Sequence, residues 1–352
     1  MDAPDLPRTG GSWSVKVAFL GLPESERRLY IEEAAARRSV SAVIIEKDFW
    51  VSWMLAVLFR SEFAGNLVFK GGTSLSKVFG AIDRFSEDID LSLAPAFVGI
   101  DAPGEDSSRT KLDRWMHDAQ EACAVTLRRK VKPLLDREIT WALGTSARAD
   151  ALEPAMGDGA ETNLLFHYPS VLPVGFGYIR RSVKLEFGSL TDQQPHGVHA
   201  VRPWIAESIP DAFADWNCSV VALEAERTFW EKATILHAEH YRPQNKPTPD
   251  RFSRHYADLA RLAAHPSAPV ALAMPDLRDR VVAWKGRFFH SAWAQFDLAR
   301  PGSFRLLPPP SRAKDLARDY EAMREMYLTE PPEFDRVLDR LRDLEKRIND
   351  GL

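Results

Sequence analysis

Two neighbouring stretches, Phe69-Lys-Gly-Gly-Thr-Ser-Leu-Ser-Lys77 and Arg84-Phe-Ser-Glu-Asp-Ile-Asp-Leu91, decide the fold. Asn66-Leu-Val-Phe-Lys70 reads as a short buried strand, and Gly71-Gly72 breaks it. A helix then begins with Thr73 near its start. Glycines without Cβ atoms let an anion approach the backbone, and a helix start offers N–H groups to a phosphate. After a turn around Gly80 to Arg84, Asp88-Ile-Asp-Leu-Ser-Leu93 alternates with strand period. Residues i and i+2 of a strand share a face, so Asp88 and Asp90 stand side by side. Two like charges so placed are costly unless a cation joins them. Oxygen-only ligands suit Mg²⁺ or Mn²⁺. A phosphate cradle beside a dicarboxylate metal site is the outline of a phosphoryl-transfer site.

Around this centre the pattern is mixed. Upstream, helices are expected over Arg27–Arg38 and Val43–Phe59, the latter capped by Ser41. Downstream come a long helix from about Thr110 to Trp141, a loop from Gly144 to Gly159, and strands near 162–167, 180–187 and 198–204. From Leu223 the pattern turns helical, with Pro-rich breaks at Pro243–Pro249 and Pro308–Pro310. The expected class is α/β, a mixed sheet with helices followed by a helical C-terminal half. The expected organisation is a flexible segment over 1–19, a core over 20–222 and a helical domain over 223–352.

The chain has 352 residues, 45% of them hydrophobic and 27% charged, with a net charge of -4. That composition supports a full core and carries no global signal for nucleic-acid binding. Two distant cysteines, Cys123 and Cys218, exclude a disulfide framework and a Cys-rich zinc site. The start lacks a signal-peptide pattern, and the most apolar run, Phe49–Phe59, is too short to span a bilayer. A cytoplasmic protein without membrane partners is expected.

The run KGGTSLSKVFGAIDRFSEDIDLSL, with Glu46-Lys47-Asp48-Phe49-Trp50 ahead of it, resembles the core of the AbiEii/AbiGii-type nucleotidyltransferase toxins. These are a branch of the DNA polymerase β-like superfamily. The resemblance is sharp over residues 46 to 93, and beyond about Ala264 no likeness is read. It implies a polymerase β-like nucleotidyltransferase core followed by the helical domain. It implies a third carboxylate at Glu186, in Ser182-Val-Lys-Leu-Glu-Phe187, where Lys184 and Glu186 share a face. An amphipathic edge strand would give the same alternation, and Asp192 is a rival in the following turn. It also implies a Lys on the first helix after the sheet and an Asp on the next, here Lys232 and Asp258. Lys232 shares the inward side of Phe229 and Leu236, so it either snorkels out or meets an anion such as a triphosphate. Asp258 could instead pair with Arg254 one helical turn away.

The expected site is therefore Asp88, Asp90 and Glu186 on the metal, with Gly71, Gly72, Thr73, Ser86 and Lys232 toward the nucleotide, and Asp258 beside them. The resemblance implies an NTP substrate, an RNA acceptor, especially tRNA, and a cognate antitoxin in a toxin–antitoxin or phage-defence pair. Transfer to a protein hydroxyl, or an NTP-binding switch without transfer, would use the same residues. Arg128–Lys132, Arg180-Arg181 and Arg278–Arg287 are candidate contacts for a nucleic-acid backbone, or simply solvated faces. His237 and His240 read as surface residues of the Lys232 helix.

Overall fold

A continuous apolar helix fixes where the core sits. In the computed structural model, which describes residues 17–86, 88–104, 106–144, 151–155, 160–173 and 180–351, helix α1 spans Glu24–Arg38 and α2 spans Ala42–Phe59. The Ser41 hydroxyl accepts from the Ile44 N–H and caps α2. Every residue of α2 from Ile44 to Phe59 is buried, charged ones included. A helix apolar on all sides belongs in an interior. Here Trp50 and Trp53 pack their rings on Phe166, at 5.7 and 5.8 Å between centroids.

The sheet that α2 backs has seven strands. They are β1 (Leu67–Lys70), β2 (Asp88–Leu93), β3 (Leu152–Pro154), β4 (Asn163–Phe166), β5 (Val183–Gly188), β6 (His196–Ala200) and β7 (Ser219–Leu223). Their order is β3-β4-β5-β2-β1-β7-β6. β2 runs antiparallel to β1 and parallel to β5, and β1 runs parallel to β7, so the sheet is mixed as expected. Short α3 (Gly71–Lys77) follows β1 directly. Helices α4 (Arg109–Thr126) and α5 (Lys132–Leu143) are joined by a wide π turn at Leu127–Val131, which carries the exposed Arg128, Arg129 and Lys130. α6 (Ile205–Ser208) is a single turn.

Then come α7 (Ala225–His240), α8 (Ser253–Leu262), α9 (Ser267–Leu272), α10 (Pro275–Phe288), α11 (Pro310–Ala322) and α12 (Phe334–Asp350). The chain forms two compact units. One takes Met1–Val78, Glu87–Ser107 and Arg114–Ala222, and the other takes Phe79–Ser86, Ser108–Asp113 and Leu223–Leu352. Of the flexible segment expected over 1–19, residues 1–16 lie outside those described, while Val17 and Phe19 are buried. Of the loop expected over 144–159, residues 145–150 and 156–159 lie outside those described, and Leu152–Pro154 form β3.

Two readings need correction. β7 was not foreseen, because Ser219-Val-Val-Ala-Leu is a continuous apolar run without alternation, as suits a strand buried on both faces. His237 is not a surface residue. It is fully buried, its Nδ1 accepts from the Arg305 N–H at 3.1 Å, and its Nε2 lies 2.9 Å from the Gln295 carbonyl. Nε2 therefore carries the proton, and burial holds the ring's pKa below its ordinary value. Cys123 and Cys218 are buried and unpaired, and burial pushes their thiols up to about 11 and about 12. No described helix is long and apolar enough to cross a membrane.

Candidate active site

Register places the carboxylates. In β2, Ile89, Leu91 and Leu93 point into the core, where Leu185, Phe187 and Phe69 meet them. Asp88 and Asp90 are left on the opposite face, half-buried. The parallel pairing of β2 with β5 sets Asp90 directly opposite Glu186 and Asp88 opposite Lys184. Residues paired across a sheet share a face and come within side-chain reach. The third carboxylate thus stands beside the second, on the neighbouring strand. Lys70 faces Asp90 from the other side, across the β1 pairing.

Electrostatics follows from this crowding. Burial would raise the Glu186 carboxyl. The hydrogen-bonded Lys184 ammonium outweighs it, helped by a hydrogen bond with Asp90 and by the charge of Lys70, and the net shift is downward. Lys184 is pushed the other way. Burial lowers it, but Glu186, Asp88 and Asp90 together raise it. As placed, Glu186 turns to Lys184, and among the described residues no three acidic, histidine or cysteine side chains converge on one point. The donor set still fits a hard divalent cation. It is three carboxylates on two adjacent strands, with one rotatable side chain, Glu186, to bring in.

The glycine turn is built around the same carboxylate. Gly71 adopts φ +80°, a left-handed conformation that side chains rarely take. A Cβ there would lie 2.8 Å from Asp90 Cγ and closer still to its Oδ2. Gly71 is thus required twice, for its backbone angle and for the room it leaves. The Thr73 hydroxyl donates to the Asp88 carbonyl, and Ser74 Oγ donates to the Gly71 carbonyl at 2.9 Å, so the turn and β2 are tied together. Gly72 is the second residue of α3, and Ser86 ends the segment before β2. Gly71→Ala should cut turnover by roughly 10²-fold, the usual scale for displacing a reacting group by about an ångström. Gly99→Ala is the control, since φ there is +82° with open space around it. It should lose stability and keep its rate, and equal rates in the two variants would count against this geometry.

The segment Glu46-Lys47-Asp48 turns out to hold loops rather than ligands. Glu46 accepts from Ser170 Oγ and the Val171 N–H, both at 2.7 Å, and Lys47 donates to the Arg180 carbonyl. Asp48 binds the Lys77 ammonium at 2.6 Å and the Trp204 N–H at 2.7 Å. Lys77, on the flank of the glycine turn, is therefore committed to Asp48 and to the ring of Trp204. Asp192 lies past β5, in a turn where it accepts from the Gln194 N–H. Glu186→Gln should lower turnover strongly and Asp192→Asn weakly. The reverse ranking would show that β5 is not the strand supplying the third acid.

Lys232 and Asp258 belong to the helical unit and meet each other. Phe229 and Leu236 are buried, and Lys232 between them points inward as expected. Its Nζ lies 2.8 Å from Asp258 Oδ2. Arg84 donates to both Asp258 oxygens, from Nε and from a terminal nitrogen, at 2.8 Å each. Asp258 is thus held by Arg84 and Lys232 rather than by Arg254. Burial pushes its carboxyl up, but the two cations outweigh it and hold it well below the usual carboxylate range. Arg84 went unnoticed in the sequence. It sits in Phe79–Ser86, which packs with the later helices through Phe85 N–H to the Met326 carbonyl and Leu328 N–H to the Asp83 carbonyl. Arg181, one of the candidate backbone-binding residues, is tied to the carbonyls of Leu172 and Pro173.

The family model described as "Nucleotidyl transferase AbiEii toxin, Type IV TA system" matches residues 53–340. The match takes in all five acidic and basic residues of the expected site and runs well past Ala264, where no likeness had been read. Nothing among curated proteins matches. Among solved structures, MenT4, a nucleotidyltransferase toxin from Mycobacterium tuberculosis H37Rv, is similar over 94% of this chain and 98% of its own. The identity is 16% and the TM-score 0.42.

Proposed function

The chain belongs to the AbiEii family of nucleotidyltransferase toxins from type IV toxin–antitoxin systems, and on that premise we propose that it transfers an NMP from an NTP to an RNA hydroxyl, with Asp88, Asp90 and Glu186 as ligands for Mg²⁺ or Mn²⁺. The observation that carries this is the register of β2 on β5, which sets Asp90 against Glu186 with Asp88 on the same face. Divalent ions there would polarise the α-phosphate and offset charge on the departing pyrophosphate. The chain's own residues do the rest. Gly71 leaves space at Asp90, Thr73 fixes the start of β2 through the Asp88 carbonyl, and Lys184 balances the three carboxylates. Gly71, Gly72, Thr73 and Ser86 are proposed to line the nucleotide side. The acceptor we favour is the 3′ end of a tRNA, as the family resemblance implies. The family likewise implies a cognate antitoxin.

Lys232 is proposed as the cation for the triphosphate. Its support is the charge of its buried cluster, in which two cations, Arg84 and Lys232, share the carboxylate of Asp258. An added anion would be offset there. Asp258 is proposed to keep that ammonium in place. Lys232→Ala should weaken NTP binding or transfer by about 1–3 kcal/mol, the range for losing a charged hydrogen bond. It should also shrink the thermal stabilisation that NTP gives. An unchanged ligand-induced shift and an unchanged rate would remove Lys232 from the site.

The deciding experiment supplies each labelled NTP with Mg²⁺ and either total RNA or total protein. Label in RNA, with pyrophosphate released and both lost in Asp90→Asn, supports the reading. Label in protein would move the acceptor to a protein hydroxyl. NTP binding without pyrophosphate would leave a switch.

A further inference from the structure

The carboxylate face carries a cation of its own. Alternation along β5 puts Lys184 and Glu186 on one face, and the register sets Lys184 opposite Asp88 and Glu186 opposite Asp90. The Lys184 ammonium donates to Glu186 Oε1. On the other flank of β5, β4 brings Asn163 opposite Glu186 and Leu165 opposite Lys184, so no charge comes from that strand. Lys70 stands opposite Asp90 on β1 and forms no ion pair among the described residues. Of the two lysines on this face, Lys184 is therefore the one bonded to a carboxylate of the expected metal set.

That bond has a consequence for any ion that binds here. Glu186 is turned along its own strand toward Lys184, and it does not converge with Asp88 and Asp90 on one point. To join them on a divalent ion it has to turn away from Lys184. A carboxylate has two oxygens, but an ammonium and a divalent ion held one on each would lie only a few ångströms apart and repel. The two cations therefore compete for Glu186. The strength of the pair decides which wins. The Lys184 and Glu186 side chains are 34% and 35% exposed, and an ion pair this open to water is worth little by itself. It is strong enough to offset charge on a face with three carboxylates, and weak enough for a divalent ion to displace.

We propose that Lys184 is a resident counter-cation that holds Glu186 in the metal-free site and is displaced from it by a divalent ion, so that metal binding is an exchange of one cation for another. Lys184 is thus a positioning residue, acting through Glu186. The inference rests on the metal reading above, and its test separates the two. Calorimetric titration of the full chain with Mn²⁺, without nucleotide, is the measurement. Lys184→Met keeps the length of the side chain and removes its charge. It should bind Mn²⁺ about tenfold tighter than the wild type, the scale of one unit charge acting on a divalent ion across several ångströms of partly solvated site. Lys184→Arg keeps the charge and can hold Glu186 by two bonds, so it should bind Mn²⁺ no tighter than the wild type. Lys70→Met removes a charge from the same face without freeing a carboxylate, and its gain should be clearly smaller. Without divalent ions Lys184→Met should melt below the wild type, and saturating Mn²⁺ should close the gap, because the ion takes the place of the lost ammonium. If Lys184→Met does not fold, Lys184→Gln carries the same expectations. Wild-type or weaker Mn²⁺ affinity in the neutral variant would overturn the exchange, as would an equal gain in Lys70→Met or an unchanged melting temperature without ions. Asp90→Asn calibrates the site and should lose the Mn²⁺ binding. Binding that survives Asp90→Asn, or a wild type that binds no Mn²⁺, would overturn the metal reading and the exchange together.

Discussion

Asp90→Asn and Asp88→Asn are each expected to reduce nucleotide transfer by roughly 10³-fold or more, because in the proposed site these carboxylates would hold divalent ions whose charge contributes several kcal/mol to the transition state. The substitutions are conservative in shape. Asp88→Asn keeps the backbone carbonyl that Thr73 holds, and Asp90→Asn keeps the strand pairing with Lys70 and Glu186. Only the charge is lost. Three carboxylates share one face of two adjacent strands, and removing one relieves repulsion. The variants should therefore melt at or above the wild-type temperature without divalent cations. With Mg²⁺ the order should reverse, since only the wild type gains stability from binding the ion. Melting curves with and without Mg²⁺, beside single-turnover rates, read both effects. A variant within tenfold of the wild-type rate would remove the carboxylates from the chemistry.

The parts of the site that could be read from sequence are those set by local geometry. Alternation alone put Asp88 and Asp90 on one face, and strand β2 falls on the residues where the alternation is strict. That Lys184 and Glu186 share a face followed from the same period, while the choice of Glu186 came from the family resemblance. What alternation does not contain is which strands become neighbours. The Asp90–Glu186 pairing joins segments almost a hundred residues apart and depends on the whole sheet order. The glycine turn was legible as a break, but its reason was not. Gly71 is needed because of where Asp90 sits, and that is a property of the folded pair. The same limit explains Asp258. A helix places Arg254 one turn away, so the local reading offers it as partner. The structure supplies Arg84, 174 residues earlier, which reaches both carboxylate oxygens. The signal available was a lone arginine in a turn before β2, and nothing in its neighbours points to a buried partner.

That partner makes Asp258→Asn the substitution with the largest expected effect on stability. Asp258 bonds both Arg84 and Lys232, whose side chains are 4% and 8% exposed. Replacing it with Asn leaves these two buried cations facing one amide oxygen. Breaking a buried ion pair from one side typically costs about 3–5 kcal/mol. Lys232→Met should cost far less. It removes one of the two cations, leaves Arg84 and Asp258 as a neutral bidentate pair, and fills the space beside Phe229 and Leu236 with an apolar chain. The charges of the cluster thus predict an order, with Asp258→Asn much worse than Lys232→Met. If the three residues were merely snorkelling neighbours, the two variants would be similar. The pH dependence gives a second check. The folded pKa of Asp258 is held below the unfolded value of 3.8, so its ionised form stabilises the fold fully above that value. This contribution is lost as the pH falls below 3.8 toward the folded pKa. Asp258→Asn should therefore lose less stability than the wild type over that acid range. Urea unfolding at neutral and acid pH measures both, and a wild-type acid response in the variant would show that the Asp258 charge is not what holds Arg84 and Lys232 together.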